Sequence, residues 1–141
     1  MLFSHSTAYA VRALIWLARK PAQSRWLVMD VASDEGIPQP YLSKVMGTLK
    51  SQGFVLSSRG PHGGYTLAKD PAQITLRQVA RLFNDDQPEH ACLLAYGACG
   101  DCQRCPLGDL WDGNREAITR FLDEVTIGQL ASRMASPDRS A

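Results

Sequence analysis

Apolar residues in the first part of the chain recur at helical spacing. Over 6–19, Ala10, Val11, Leu14, Leu17 and Ala18 fall on one face at intervals of three and four, which predicts an amphipathic helix. Ser6 or Thr7 suits its N-cap, and Pro21 stops it. A second, shorter helix is expected over 28–35, closed by Gly36 in the left-handed conformation that ends many helices. Ile37-Pro38-Gln39-Pro40 then opens a third helix, since first-turn amides have no intrahelical partner for a proline to remove. Leu42, Val45, Met46 and Leu49 form its buried stripe, and Gly53 ends it.

The pattern then changes period. Phe54-Val55-Leu56 and Tyr65-Thr66-Leu67 read as short strands around the turn Gly60-Pro61-His62-Gly63-Gly64, a β-hairpin with Arg59 at its tip. A supporting helix, a helix–turn–helix pair and this hairpin make a winged helix-turn-helix. Asp70-Pro71 breaks the chain, and Thr75-Leu76-Arg77-Gln78 is a capping box for a short helix reaching about Phe83. Residues 84–106 have little periodicity. Beyond them Leu107, Leu110, Trp111, Ala117, Ile118, Phe121, Leu122 and Val125 recur at three and four, a helix roughly 28 Å long. A second capping box, Thr126-Ile127-Gly128-Gln129, starts a last short helix, and the tail from Ser136 is polar.

The expected fold class is therefore mainly α with a small β-hairpin. Its expected parts are a winged head (1–83), a cysteine loop (84–106), a long and a short helix (107–134) and a tail (135–141). Hydrophobic residues make up 45% of the 141, enough for a packed core. No 18-residue apolar run exists and no cleavage site follows the first helix, so neither a membrane span nor a signal peptide is expected, and the expected location is the cytoplasm.

Charge sharpens the reading of the head. Residues 1–70 hold eight Lys/Arg against four Asp/Glu, and the remainder seven against ten, so a basic half precedes an acidic one. With its apolar stripe inward, the third helix turns Gln39, Pro40, Tyr41, Ser43, Lys44 and Thr48 outward. Lys44 suits guanine or phosphate, and Gln39 suits adenine. Arg59, with Gly60 and His62 beside it, suits the minor groove and phosphate of a double-stranded DNA operator. Those residues also fit a hairpin and a polar helix face that are merely solvated.

The four cysteines, Cys92, Cys99, Cys102 and Cys105, lie within fourteen residues as C-x6-C-x2-C-x2-C-P. In a reducing compartment such clustering points to metal or redox chemistry. The evenly spaced run is of the ferredoxin type, which grips a cubane iron–sulfur cluster, with Cys92 able to supply a fourth corner. Gly97 and Gly100 give the loop freedom to wrap. An all-cysteine zinc site and a metal-free thiol–disulfide switch are the alternatives. His90 is a further potential ligand. The chain shows no nucleophile–base pair, phosphate loop or paired carboxylates, so no enzymatic activity is expected. A small electron carrier would have no need of a wing or recognition helix.

Tyr9-Ala10-Val11-Arg12-Ala13-Leu14, Tyr41-Leu42-Ser43-Lys44-Val45, Arg59-Gly60-Pro61-His62-Gly63-Gly64-Tyr65, the cysteine loop and Thr126-Ile127-Gly128-Gln129-Leu130 together resemble the IscR/NsrR family of bacterial transcription regulators over about residues 1–132. The resemblance implies a repressor whose cluster senses redox state, nitric oxide or iron. It also implies a homodimer joined through the long helix by Leu107, Leu110, Trp111, Asn114, Ile118, Phe121, Leu122 and Val125, with Asn114 as a register-fixing polar residue. Cys92, Cys99 and Cys105 match the family's usual cysteine ligands. The fourth ligand departs from the pattern. Gly108 stands where cluster-biogenesis regulators have a histidine, and Ser6-Thr7-Ala8 has no acid where some nitric-oxide sensors have one. Cys102 is then the candidate fourth ligand, and an all-thiolate site suits 4Fe–4S over 2Fe–2S.

Overall fold

The computed structural model of the chain describes residues 2–94, 97, 99 and 105–135. Cys102, Gly100 and the tail from Ser136 lie outside the described residues. The elements are helices α1 (His5–Ala18), α2 (Val28–Glu35) and α3 (Gln39–Ser51), strands β1 (Val55–Ser58) and β2 (Gly64–Leu67), then helices α4 (Leu76–Arg81), α5 (Gly108–Glu124) and α6 (Ile127–Ala135). Single 3₁₀ turns occupy Pro71–Gln73 and Pro88–His90.

The helical stripes face one another. Leu14, Val31, Leu42, Met46, Leu49, Val55, Ile74 and Val79 are fully buried in a common core, with α1 packed against α2, α3 and α4. Burying one such side chain contributes roughly 1.5–3 kcal/mol, so the core sets the mutual angles of α2 and α3. Gly36 ends α2 at φ 64°, the left-handed geometry its sequence position suggested. At the other end of α2, Asp30 accepts a hydrogen bond from the Leu27 amide at 2.9 Å, a reach-back where no polar N-cap exists.

Two boundaries differ from the sequence reading. The N-cap of α1 is Ser4, not Ser6 or Thr7, and its Oγ accepts from the Thr7 amide. Thr7 is buried inside the first turn, where its hydroxyl donates to Asp85. The same carboxylate accepts from the Ser4 amide at 2.9 Å, so a partner 81 residues away set the start of the helix. The hairpin also has a third member. Beyond the pairs Val55↔Leu67 to Ser58↔Gly64, Trp26 bridges Tyr65, with Tyr65 N–H donating to the Trp26 carbonyl at 2.7 Å. Gly64 makes that approach possible: its φ is 138°, and a Cβ there would lie 2.7 Å from the Trp26 carbonyl oxygen.

The last helix returns to the head. Thr126 and Gln129 exchange capping bonds of 3.0 and 3.2 Å as expected. The bridge Thr75↔Thr126 ties the end of α5 to the start of α4. Ile127, fully buried, joins the head's core, and α6 packs along α1. Among the described residues, no helix is long and apolar enough to cross a membrane.

Candidate nucleic-acid interface and cysteine loop

Once α3 buries its stripe, no described residue covers its other face. Gln39, Pro40, Tyr41, Ser43 and Lys44 are exposed, Tyr41 at 62%. Thr48 is half-buried and its hydroxyl turns back to the Lys44 carbonyl at 3.3 Å, which occupies the group the sequence reading had left free for bases. On the wing Arg59, Gly60 and His62 are exposed, and β1 packs on α3, so recognition helix and wing belong to one rigid unit. Sequence reasoning missed Arg25. It is exposed and donates to Ser58 Oγ, adding a cation at the turn end of the wing. The signal was Trp26, an isolated large aromatic between two helices.

The cysteine loop starts from a buried carboxylate. Glu89 is 1% exposed. Arg77 of α4 donates to its Oε1 at 2.7 Å and Thr119 of α5 at 3.3 Å. Arg77 also pairs with Asp123 of α5 and donates to the Asp86 carbonyl. One guanidinium therefore joins the head, the loop and α5. Burial alone would raise the Glu89 carboxyl, but the Arg77 guanidinium and hydrogen bonds outweigh it and hold it below the usual glutamate range. Asp85 behaves alike: burial raises it, while the Ser4 and Thr7 hydroxyls bring it below its ordinary value. Neither arginine nor glutamate stood out in the sequence, because their partners lie 9 to 46 residues apart.

The loop closes on itself and on α5. The Cys99 amide donates to the His90 carbonyl at 2.9 Å, which seats Cys99 beside the 3₁₀ turn that precedes the loop's first cysteine. Cys92, Cys99 and Cys105 are all half-buried. The Arg115 guanidinium of α5 donates to Cys99 Sγ at 2.7 Å. Among the described residues, Glu89 Oε2, Trp111 Nε1 and Arg115 Nε are buried without a hydrogen-bond partner. Each such group costs about 1–3 kcal/mol unless something satisfies it. His90 itself is exposed.

This donor set fits an iron–sulfur cluster: one loop carries soft thiol ligands, and two unsatisfied N–H groups wait on the helix beneath it. Among the described residues no three His, Cys, Asp or Glu side chains converge as a single metal ion requires. A cluster does not demand that convergence, since it spreads its ligands over several irons.

Helix α5 has two distinct faces. Trp111, Arg115, Ile118 and Thr119 are half-buried and Leu122 is fully buried, all turned to their own chain. Leu110, Asn114, Ala117 and Phe121 lie on an exposed face, at 78% for Leu110 and 47% for Phe121. With half-buried Leu107, just before the helix, these recur at three, four, three and four, the spacing of a coiled-coil seam. Asn114 Nδ2 donates to the Leu110 carbonyl at 3.1 Å, and Val125 ends the face half-buried.

The family model Rrf2, described as iron-dependent transcriptional regulator, matches residues 3–133. The chain belongs to the Rrf2 family of transcriptional regulators. It is 35% identical over 133 residues to a putative HTH-type transcriptional regulator of Aquifex aeolicus, covering 92% of this chain and 91% of that one. It is 30% identical over 132 residues to the HTH-type transcriptional regulator IscR of Cronobacter sakazakii, covering 94% and 81%. Its fold superposes on CymR, described as the global cysteine regulator of B. subtilis, with a TM-score of 0.76, 26% identity and coverage of 93% and 96%. The fold of T. potens IscR is also alike, with a TM-score of 0.71, 23% identity and coverage of 98% and 90%. These relatives are regulators and not enzymes, and the winged helix-turn-helix architecture expected from the sequence is the family's own.

Proposed function

We propose that this Rrf2 protein is a cytoplasmic, homodimeric repressor whose affinity for a double-stranded DNA operator is set by an iron–sulfur cluster. The observation that carries this reading is the loop bearing Cys92, Cys99 and Cys105, fixed to the head through Glu89–Arg77 and to α5 through Arg115–Cys99. Cys102 is the fourth ligand, and the all-thiolate set takes 4Fe–4S. Gln39, Tyr41, Ser43 and Lys44 of α3, with Arg59, Gly60 and His62 of the wing, face the DNA. The seam of half-buried Leu107 with exposed Leu110, Asn114, Ala117 and Phe121 meets the same seam of a second copy. Cluster gain or loss then acts on DNA only as far as the two states bind it differently. The Arg77 junction supplies a route from loop to head.

A second reading keeps the DNA-binding dimer and replaces the cluster with thiol oxidation or a structural zinc. The likeness to CymR, a cysteine regulator, favours it. Purification without oxygen, with iron, sulfide and zinc counted per chain, separates the two. The cluster reading expects a brown protein with roughly four iron and four sulfide. Colourless protein, with zinc or no metal, transfers the sensing role to the thiols.

A further inference from the structure

The inward face of helix α5 turns nitrogen donors toward the cysteine loop at Cys99. Arg115 stands one turn after Trp111 on that face. Its Nη2 already lies 2.7 Å from Cys99 Sγ, and Asp112, 3.3 Å from the same nitrogen, balances only part of its charge from an exposed position. Its Nε and the Trp111 Nε1 are buried and have no acceptor among the described residues. Most residues placed for structure alone would satisfy these donors within the chain. Among the described residues, the loop acceptor these donors reach is the Cys99 sulfur, and the remaining donors fit further sulfur atoms.

We propose that Arg115 is a positioning and tuning residue for the sulfur centre of this loop, acting through Cys99. The inference rests on the cluster reading above. A cationic donor on a ligating sulfur draws negative charge from it. It therefore favours the more reduced state, which carries one more electron. A cluster held there would be reduced by one electron from an added reductant such as dithionite, with no bond formed or broken. Arg115 thus keeps the centre easier to reduce, and places its charge on the dimer-forming helix, where a change at Cys99 is felt directly.

The test is a mediator-buffered spectroelectrochemical titration of full-length, oxygen-free protein, with iron content and oligomeric state measured on the same samples. Wild type is compared with R115M and R115K. Arg115→Met is expected to shift the oxidised–reduced equilibrium about tenfold toward the oxidised form, roughly 59 mV more negative for one electron. Arg115→Lys, which keeps a charged donor, is expected to recover most of that shift. Equal potentials and spectra in wild type and R115M at equal iron content overturn the proposal. If R115M retains no iron, Arg115→Gln is titrated in its place under the same criterion. Wild-type protein without iron and sulfide would remove the cluster reading itself, and the inference with it, a failure distinct from a cluster whose potential ignores Arg115.

Discussion

The winged head and helix α5 put their apolar residues to different ends. Helix α1 buries six of its fourteen residues and α3 four of thirteen. Helix α5, the longest at seventeen, fully buries only Leu122. Its hydrophobic pattern is no weaker, yet half of it faces outward. The head completes its core within one chain, whereas α5 carries a second apolar face that its own chain leaves open. Propensity and burial thus diverge where a helix is built for two sets of contacts.

The junction of the two regions should show the largest effect. Arg77 joins α4 to Glu89 and Asp123, and Glu89 is buried. Arg77→Met removes the cation and strands the carboxylate, an expected loss of about 3–5 kcal/mol in chemical unfolding at pH 7. The folded Glu89 carboxyl sits below its unfolded value. Its contribution is therefore present above the unfolded pKa of about 4.3 and fades as pH falls through the folded one. The gap between wild type and Arg77→Met should accordingly narrow on acidification below about pH 4. A gap independent of pH would mean that Arg77 acts by packing alone.

Next in size is a matched pair of leucines. Leu42 is fully buried in the head and Leu110 is 78% exposed on α5. Leu42→Ala should cost about 2–5 kcal/mol of stability wherever the protein is monomeric. Leu110→Ala should change the stability of the monomer by less than about 0.5 kcal/mol and weaken self-association, measured by sedimentation across a concentration series. Unchanged association in Leu110→Ala would place the subunit contact elsewhere.

The sequence showed most of the head because its contacts are local in pattern: the 42, 45, 46, 49 stripe, the glycines at 36 and 53, and the two capping boxes all needed only neighbours within four residues. It failed where the deciding partner was distant. Asp85 moved the cap of α1 to Ser4, and Trp26 extended the wing. The cysteines were visible as a spacing, but the groups around them were not. Arg77, Glu89 and Arg115 are ordinary charged residues until the fold brings them together. Likewise, periodicity placed Trp111, Ile118, Leu122, Leu110 and Phe121 on one long helix as a single stripe. Only packing divides them into an inner and an outer face.

The smallest expected effect tests whether the two regions meet DNA through the head alone. Arg59 and Lys44 are exposed on wing and α3, and both belong to the basic first half. If Arg59 contacts a phosphate or the minor-groove wall, Arg59→Ala removes about one released counterion. The slope of log affinity against log salt should then flatten by about 0.9. Between 50 and 200 mM salt that amounts to a deficit shrinking roughly three- to fourfold, readable by fluorescence anisotropy on a labelled operator. The same substitution should leave iron content and self-association untouched, since no described contact links the wing tip to the loop or to α5. A flattened slope with intact assembly assigns DNA contact to the head. An unchanged slope removes Arg59 from the interface and leaves the exposed face of α3, with Arg25 beside the wing, to supply the charge.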